Sequence, residues 1–153
     1  MLRFWKSILV TVFLPLAGLY HLTKLLTGRK KAIDFFYPKI VAVSAKILSL
    51  NIPTLQENEN FSVFQNNFQR VLSRMPFEKI EVTVADANKF QIKVTLCQFT
   101  EVFHLLRMDE LSKAFCDGDV VFCEKYQPAL NFERKHAIQN GDAYCDHTFT
   151  RKK

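Results

Sequence analysis

Residues 131–150, NFERKHAIQNGDAYCDHTFT, hold the pairing on which the rest of the fold turns. Asn140-Gly141 lies between two strand-like runs, and Asn-Gly favours a two-residue type I′ hairpin turn because both central positions need φ > 0. A turn over 139–142 fixes the register: His136 faces Cys145, Arg134 faces His147 and Phe132 faces Phe149. Side chains alternate along a strand, so these residues share one face with the Ile138/Ala143 pair. Lys135 opposite Asp146 and Glu133 opposite Thr148 form a solvated side. A covering strand normally offers Val, Ile or Leu on its inner face, but here an Arg, two His and a Cys stand in that place. Two readings compete. Either the polar tips are satisfied at a sheet edge around a small buried Cys, or a thiol stands beside an imidazole with a guanidinium placed to hold an anion.

At 153 residues the chain is long enough for one domain with a real core. Its 15 Phe against 4 Gly and 5 Pro speak against disorder and low complexity, and no internal repeat is visible. The four cysteines, Cys97, Cys116, Cys123 and Cys145, would suit two disulfides in a secreted protein. No leader-cleavage pattern accompanies them, so reduced thiols and a cytoplasmic location are expected. The net charge of +6 is unevenly spread: residues 1–50 hold 8 Lys/Arg against the single Asp34, giving +7, and residues 51–153 hold 13 against 14, giving −1. Basic residues among long aliphatic runs suit an anionic membrane surface or a packed helix pair, not a phosphate-reading groove, so nucleic acid is not an expected partner.

Residues 8–20 are apolar on all sides, and with flanks to Leu26 the segment approaches the roughly 20 residues of a bilayer-spanning helix. Pro15, Gly18, His21 and Lys24 weaken that assignment. A second apolar segment, 33–50, reads helical with Pro38 breaking or starting it, and the two pair around Gly28. The expected organisation is an apolar, basic helical arm over 1–50, a polar linker over 51–60, and a globular part over 61–153. The arm either meets a membrane surface, associating a cytoplasmic protein with it, or packs on the fold or on a second copy.

Phe61, Phe64, Phe68, Val71 and Leu72 have helical spacing up to Pro76, whereas 79–84 and 89–96 alternate and join through 85–88 as a hairpin. Between this hairpin and the last one, Thr100 is placed to cap one short helix and Asp109 a second, with Gly118 closing the latter. That puts Cys116 and Asp119 at a helix end, and leaves 120–126 open between helix and strand. The fold class is α+β: an antiparallel sheet of about four strands in two hairpins, short helices between them, and an N-terminal apolar helical arm.

The chain carries, in order, Val94-Thr95-Leu96-Cys97, then Cys116 to Asp119, Pro128, Phe132-Glu133-Arg134, and Gly141 to Asp146. This series resembles the L-2-amino-thiazoline-4-carboxylate hydrolase family over about residues 61–150. Ala137 and His147 stand where the family pattern has a Thr and an aromatic residue. The resemblance implies a small-molecule substrate, a cyclic 2-aminothiazoline bearing a carboxylate, opened by addition of water at the amidine carbon and loss of the ring sulfur. Cys145 would attack that carbon with His136 taking its proton, and Arg134 would grip the carboxylate in a bidentate manner. Asp119 or His147 would protonate the leaving sulfur or activate water, with Cys116 a further catalytic candidate and Cys97 on the substrate-binding side with Arg134.

Plainer roles compete. Cys97, Cys116 and Cys123 suit core packing, Asp119 suits a turn after Gly118, and Asp146 suits a cross-strand pair with Lys135. His21 and His104 are isolated and receive no role. No cofactor is expected. The rival within enzyme chemistry is a divalent metal held by Cys145 and His147 with Cys116, Cys97 or Asp119, although no paired C-x-x-C zinc spacing is present. Outside it stands a non-catalytic ligand-binding or membrane-tethered adaptor domain, to which the Phe-rich composition is suited.

Overall fold

The computed structural model describes residues 2–152. The order is α1 (Leu2–Thr27), α2 (Arg29–Asn51), α3 (Phe61–Leu72), β1 (Glu78–Ala85), β2 (Lys89–Cys97), α4 (Gln98–Leu105), α5 (Asp109–Tyr126), β3 (Leu130–Glu133) and β4 (Cys145–Arg151). A single 3-10 turn over Ile138–Asn140 precedes β4. The four strands form one antiparallel sheet in the order β1-β2-β4-β3, so the fold is α+β as the alternation and helical spacings indicate.

Even-numbered positions of β2 and odd-numbered positions of β4 point to one side, where Phe90, Ile92, Val94, Cys145 and Phe149 are buried. Phe61, Phe64 and Phe68 of α3 and Phe122 and Cys123 of α5 cover them. Asn60 starts α3 because its side chain accepts a hydrogen bond from the Ser62 amide at 3.0 Å, satisfying a donor that the first turn leaves free. Each large apolar side chain so covered contributes roughly 1.5–3 kcal/mol. A second core lies between helices, with Ala17 and Tyr20 of α1, Phe36 and Ile40 of α2, and Leu111 and Ala114 of α5.

Four local expectations fail in the structure. Pro38 neither breaks nor starts a helix: α2 begins at Arg29 and runs through it, because Ala32 and Phe36 on one side and Ile40, Ser44 and Ala45 on the other stay buried along a continuous face. Thr100 does not cap α4, which begins at Gln98 directly from the extended Cys97, and Asp109 is the first residue of α5 and not its cap. Gly118 does not close α5 either. The helix continues to Tyr126, and a Cβ on Gly118 would fall 1.8 Å from Ser44 Oγ. The glycine lets α2 and α5 approach closely, which places Cys116 and Asp119 in mid-helix.

Helix α1 is fixed to this body at both ends. Trp5 packs edge-on against Phe77 at 5.5 Å, and Lys6 pairs with Glu101 at 2.7 Å. At the other end Tyr20 Oη and Lys24 Nζ both donate to Glu110 Oε1, at 2.6 and 2.9 Å. After α2, Leu55 is buried and its amide donates to Gln127 Oε1 at 2.9 Å, while Gln127 Nε2 donates to the Pro53 carbonyl at 3.0 Å.

Candidate functional site

The terminal pairing forms only in part. Phe132 faces Phe149 and Glu133 faces Thr148 in the expected register, but β3 stops at Glu133. Residues 134–144 leave the ladder, and no type I′ turn forms: Gly141 has φ +94, while Asn140 belongs to the 3-10 turn and is not among the positive-φ residues. Side chains supply the acceptors that a ladder would have supplied. Asp146 Oδ1 accepts from the Lys135 and His136 amides at 2.9 and 2.5 Å, Asp142 Oδ2 accepts from the Ala137 amide at 2.8 Å, and Cys145 Sγ accepts from the Ile138 amide at 3.2 Å.

The expected facing of His136 and Cys145 is therefore lost. Cys145 faces Val94 of β2, and His136 lies in the loop, half exposed, with Nδ1 3.9 Å from Asp142 and its ring against Tyr144. Asp146 serves the loop backbone instead of pairing through its side chain with that of Lys135.

The other expected residues converge between the sheet and α5. Arg134, side chain 10% exposed, donates to the Cys116 carbonyl at 2.8 Å and to Asp119 Oδ2 at 3.3 Å, with Asp117 Oδ1 at 3.6 Å. His147, on β4 opposite Ile92, brings Nε2 to 3.8 Å from the same Asp119 oxygen. Cys97, Cys116 and Cys145 lie within electrostatic reach of one another. All four cysteines are free thiols. Among the described residues no group of three or more His, Cys, Asp or Glu side chains is arranged to hold a metal ion.

Glu78, which lies outside the motifs that the sequence offers, joins this group. It opens β1 opposite Cys97, and the Cys97 thiol donates to Glu78 Oε1 at 3.7 Å. Its signal was available: extending the Ile80, Val82, Val84 alternation back by two puts a carboxyl on the strand face that otherwise carries aliphatic residues. Tyr37 of α2 was also missed; its hydroxyl donates to Asp117 Oδ2 at 2.5 Å. Nothing in the local pattern of α2 marks that contact.

Burial sets the protonation states here. It pushes the Asp119 carboxyl up to about 7, a rise that Arg134 only partly offsets, and Glu78 up to about 7 despite the thiol hydrogen bond. It pushes the Cys97 thiol up to about 12 and raises Cys116 and Cys145 as well, so the thiols are protonated at neutral pH. Burial, with Arg134 adding to it, lowers His147 to about 4 and leaves its imidazole neutral. Two carboxyls that exchange protons near neutrality are acid–base equipment, and a neutral thiol needs a base in the step in which it reacts.

A cleft of about 490 Å³ lies between the end of β2, α4, the head of α5 and residues 138–143, and meets this group at Cys97. Cys97, Ser112 and Gln139 line it. Gln139 Oε1 accepts from the Cys116 thiol at 3.1 Å. Gln139 Nε2 and Ser112 Oγ are buried and have no hydrogen-bond partner among the described residues, and Ser112 is only 7% exposed. Unsatisfied donors beside a cleft of this size suit a small polar ligand.

Among solved structures, the phenol-responsive sensory domain of the transcription activator PoxR with phenol is 8% identical, covering 90% of this chain and 73% of that one at a TM-score of 0.42. The Fe(II) unliganded H-NOX protein from K. algicida is 12% identical, covering 97% and 63% at a TM-score of 0.26. Likenesses this loose bear on neither fold nor function. No curated protein matches the sequence. The family model for L-2-amino-thiazoline-4-carboxylic acid hydrolase matches residues 22–149, from the last turns of α1 through β4. With the match running from the end of α1 through α2 and every strand, the chain belongs to the L-2-amino-thiazoline-4-carboxylic acid hydrolase family.

Proposed function

We propose that the protein opens a small cyclic amidine carboxylate of the 2-aminothiazoline type in the cleft beside Cys97, with the Cys97–Glu78 pair as its reactive centre. The observation that carries this reading is the 3.7 Å contact of the Cys97 thiol with Glu78, a carboxyl near pKa 7, at the wall of a cleft with unsatisfied polar donors. The Cys97 sulfur adds to the amidine carbon as its proton passes to the Glu78 carboxylate. The carbon–ring sulfur bond then breaks, and the ring sulfur takes that proton and leaves as a thiol. Water adds to the resulting S-linked isothiourea, giving a proton to Glu78. The Cys97–carbon bond breaks and Cys97 recovers the proton, releasing an N-carbamoyl product. One water is consumed and nothing is oxidised.

Cys97 replaces Cys145 as nucleophile in this scheme because Cys97 lines the cleft, whereas Cys145 is 4% exposed with its sulfur on the Ile138 amide. Asp119, held by Arg134 and near His147, is the second proton-exchanging group. Arg134 serves as a positioning residue because its guanidinium already meets three acceptors, and the Ser112 hydroxyl and Gln139 amide take the substrate carboxylate.

A second reading, a binding module without turnover, is favoured by thiols held protonated and by an arginine spent internally. Turnover of 2-aminothiazoline-4-carboxylate, followed by release of N-carbamoylcysteine, separates the two. Hydrolysis should fall at least about a hundredfold in Cys97→Ser, the size expected of a general-base or nucleophile loss, and persist in Cys123→Ser. Tight binding with no product from the intact protein supports the module instead.

A further inference from the structure

The residues of α1 divide into two arcs. The one turned to the body buries Leu9, Ala17 and Tyr20 and sends Lys6 to Glu101 and Lys24 to Glu110. The opposite arc carries no charge from Ser7 to Thr27, and its Val12, Leu14, Leu19, Leu22, Leu25 and Leu26 are all exposed, Leu25 at 82% and Leu26 at 73%. It ends at the hairpin tip in exposed Arg29-Lys30-Lys31. Helix α2 returns with a different exposed arc. Phe35, Val43, Ile47 and Leu50 alternate there with Lys31, Lys39 and Lys46, and Lys39 Nζ lies 3.6 Å from the Phe35 ring centroid.

A monomeric soluble surface rarely leaves so continuous an apolar stretch uncovered. By length and composition Phe4–Thr27 could cross a bilayer alone. Crossing would require α1 to leave the body, however, stripping Tyr20 and Lys24 from Glu110 and uncovering the inter-helix core. A second copy seated on the same face would bring together two arms that each carry +7 over residues 1–50. An uncharged apolar arc on α1, followed on α2 by an exposed arc in which lysines alternate with apolar side chains, suits instead the headgroup and acyl boundary of a negatively charged membrane.

We infer that the exposed face of the α1–α2 hairpin seats the protein flat on an anionic bilayer surface, in the interface and not across it. Flotation of the full chain with vesicles tests this, comparing phosphatidylcholine alone with phosphatidylcholine enriched in phosphatidylserine. The protein should float with the phosphatidylserine vesicles, be released by salt, and bind about fivefold more weakly for each of Lys31→Gln and Lys39→Gln. Leu25→Glu with Leu26→Glu should abolish flotation at an unchanged Tm, because both side chains already face solvent. Equal binding to neutral vesicles would overturn the inference. So would failure to float with a dimer in solution that the Leu25→Glu/Leu26→Glu pair dissociates, which assigns the face to a second copy. Protection of residues 4–27 from protease in sealed vesicles, with release only by detergent, would overturn it in favour of a spanning helix.

Discussion

At one end of the covered sheet face, Phe149 touches the rings of Phe64, Phe68, Phe90 and Phe132, with centroids 4.9–6.2 Å apart. Two and four residues earlier on the same strand, His147 and Cys145 lie instead among Asp119, Arg134 and Glu78. The first environment gains stability from every ring it buries. The second loses stability by it, because burial that lifts Asp119 and Glu78 toward 7 penalises the charged form each would hold in water. A strand that builds a stable core at one end and a costly polar cluster at the other is where the proposed chemistry belongs.

The contrast is most easily broken at the apolar end. Phe149→Ala should cost about 3–5 kcal/mol in chemical denaturation, the range for emptying a buried phenyl site. A cost below about 1 kcal/mol would mean that the rings do not form the core described. At the polar end Arg134→Met should cost about 3 kcal/mol at pH 8, because Asp119 and the Cys116 carbonyl lose their donor. The cost should shrink at pH 5, where Asp119 takes up a proton; an equal cost at both pH values would show that the carboxylate is not what Arg134 holds.

Gly118→Ala sharpens the positioning side of the comparison, since Gly118 precedes Asp119 on the helix that it sets against α2. Its new Cβ would meet Ser44 Oγ at 1.8 Å and the Ala45 backbone nitrogen at 3.2 Å. The expected loss is about 2 kcal/mol, with part of it recovered by Ser44→Gly in the double variant.

The smallest effect concerns pH. Carboxyls raised in the folded state bind more protons there than in the unfolded chain between about pH 4 and 7, so their contribution to stability falls as pH rises through that window. His147, lowered to about 4, works in the opposite sense and loses stability as pH drops from about 6.5 to 4. Glu78→Gln removes one of the two carboxyl penalties. It should stabilise the protein by on the order of 1–2 kcal/mol at pH 8 and leave it nearly unchanged at pH 5. Equal midpoints at both pH values would place the Glu78 carboxyl in an ordinary aqueous environment.

Much of the fold could be read from side-chain periodicity. The Phe61, Phe64, Phe68 spacing and the alternation along 89–96 carry their own burial pattern, and the Phe132–Phe149 register survived because Phe149 is in the core and the half-buried Phe132 packs on it. What escaped was governed by tertiary contacts. Asn140-Gly141 is a good hairpin signal in isolation, yet Asp142, Asp146 and Cys145 draw the amides of 135–138 to themselves. Gly118 resembles a helix stop until Ser44, distant in sequence, packs on it. For the site, residue types in the expected motifs identified Cys97, Cys116, Asp119, Arg134, Cys145 and His147 as neighbours. They misplaced His136 with the hairpin turn and passed over Glu78, whose only mark is a carboxyl continuing an aliphatic alternation.

The polar end is tested most directly by the pH dependence of kcat/KM for 2-aminothiazoline-4-carboxylate with the intact protein, Glu78→Gln and Cys97→Ser. A reactive Cys97–Glu78 pair predicts a rate that climbs through about pH 7 in the intact protein, loses that limb in Glu78→Gln, and all but vanishes in Cys97→Ser. Full turnover in Cys97→Ser, or an unchanged profile in Glu78→Gln, would contradict it.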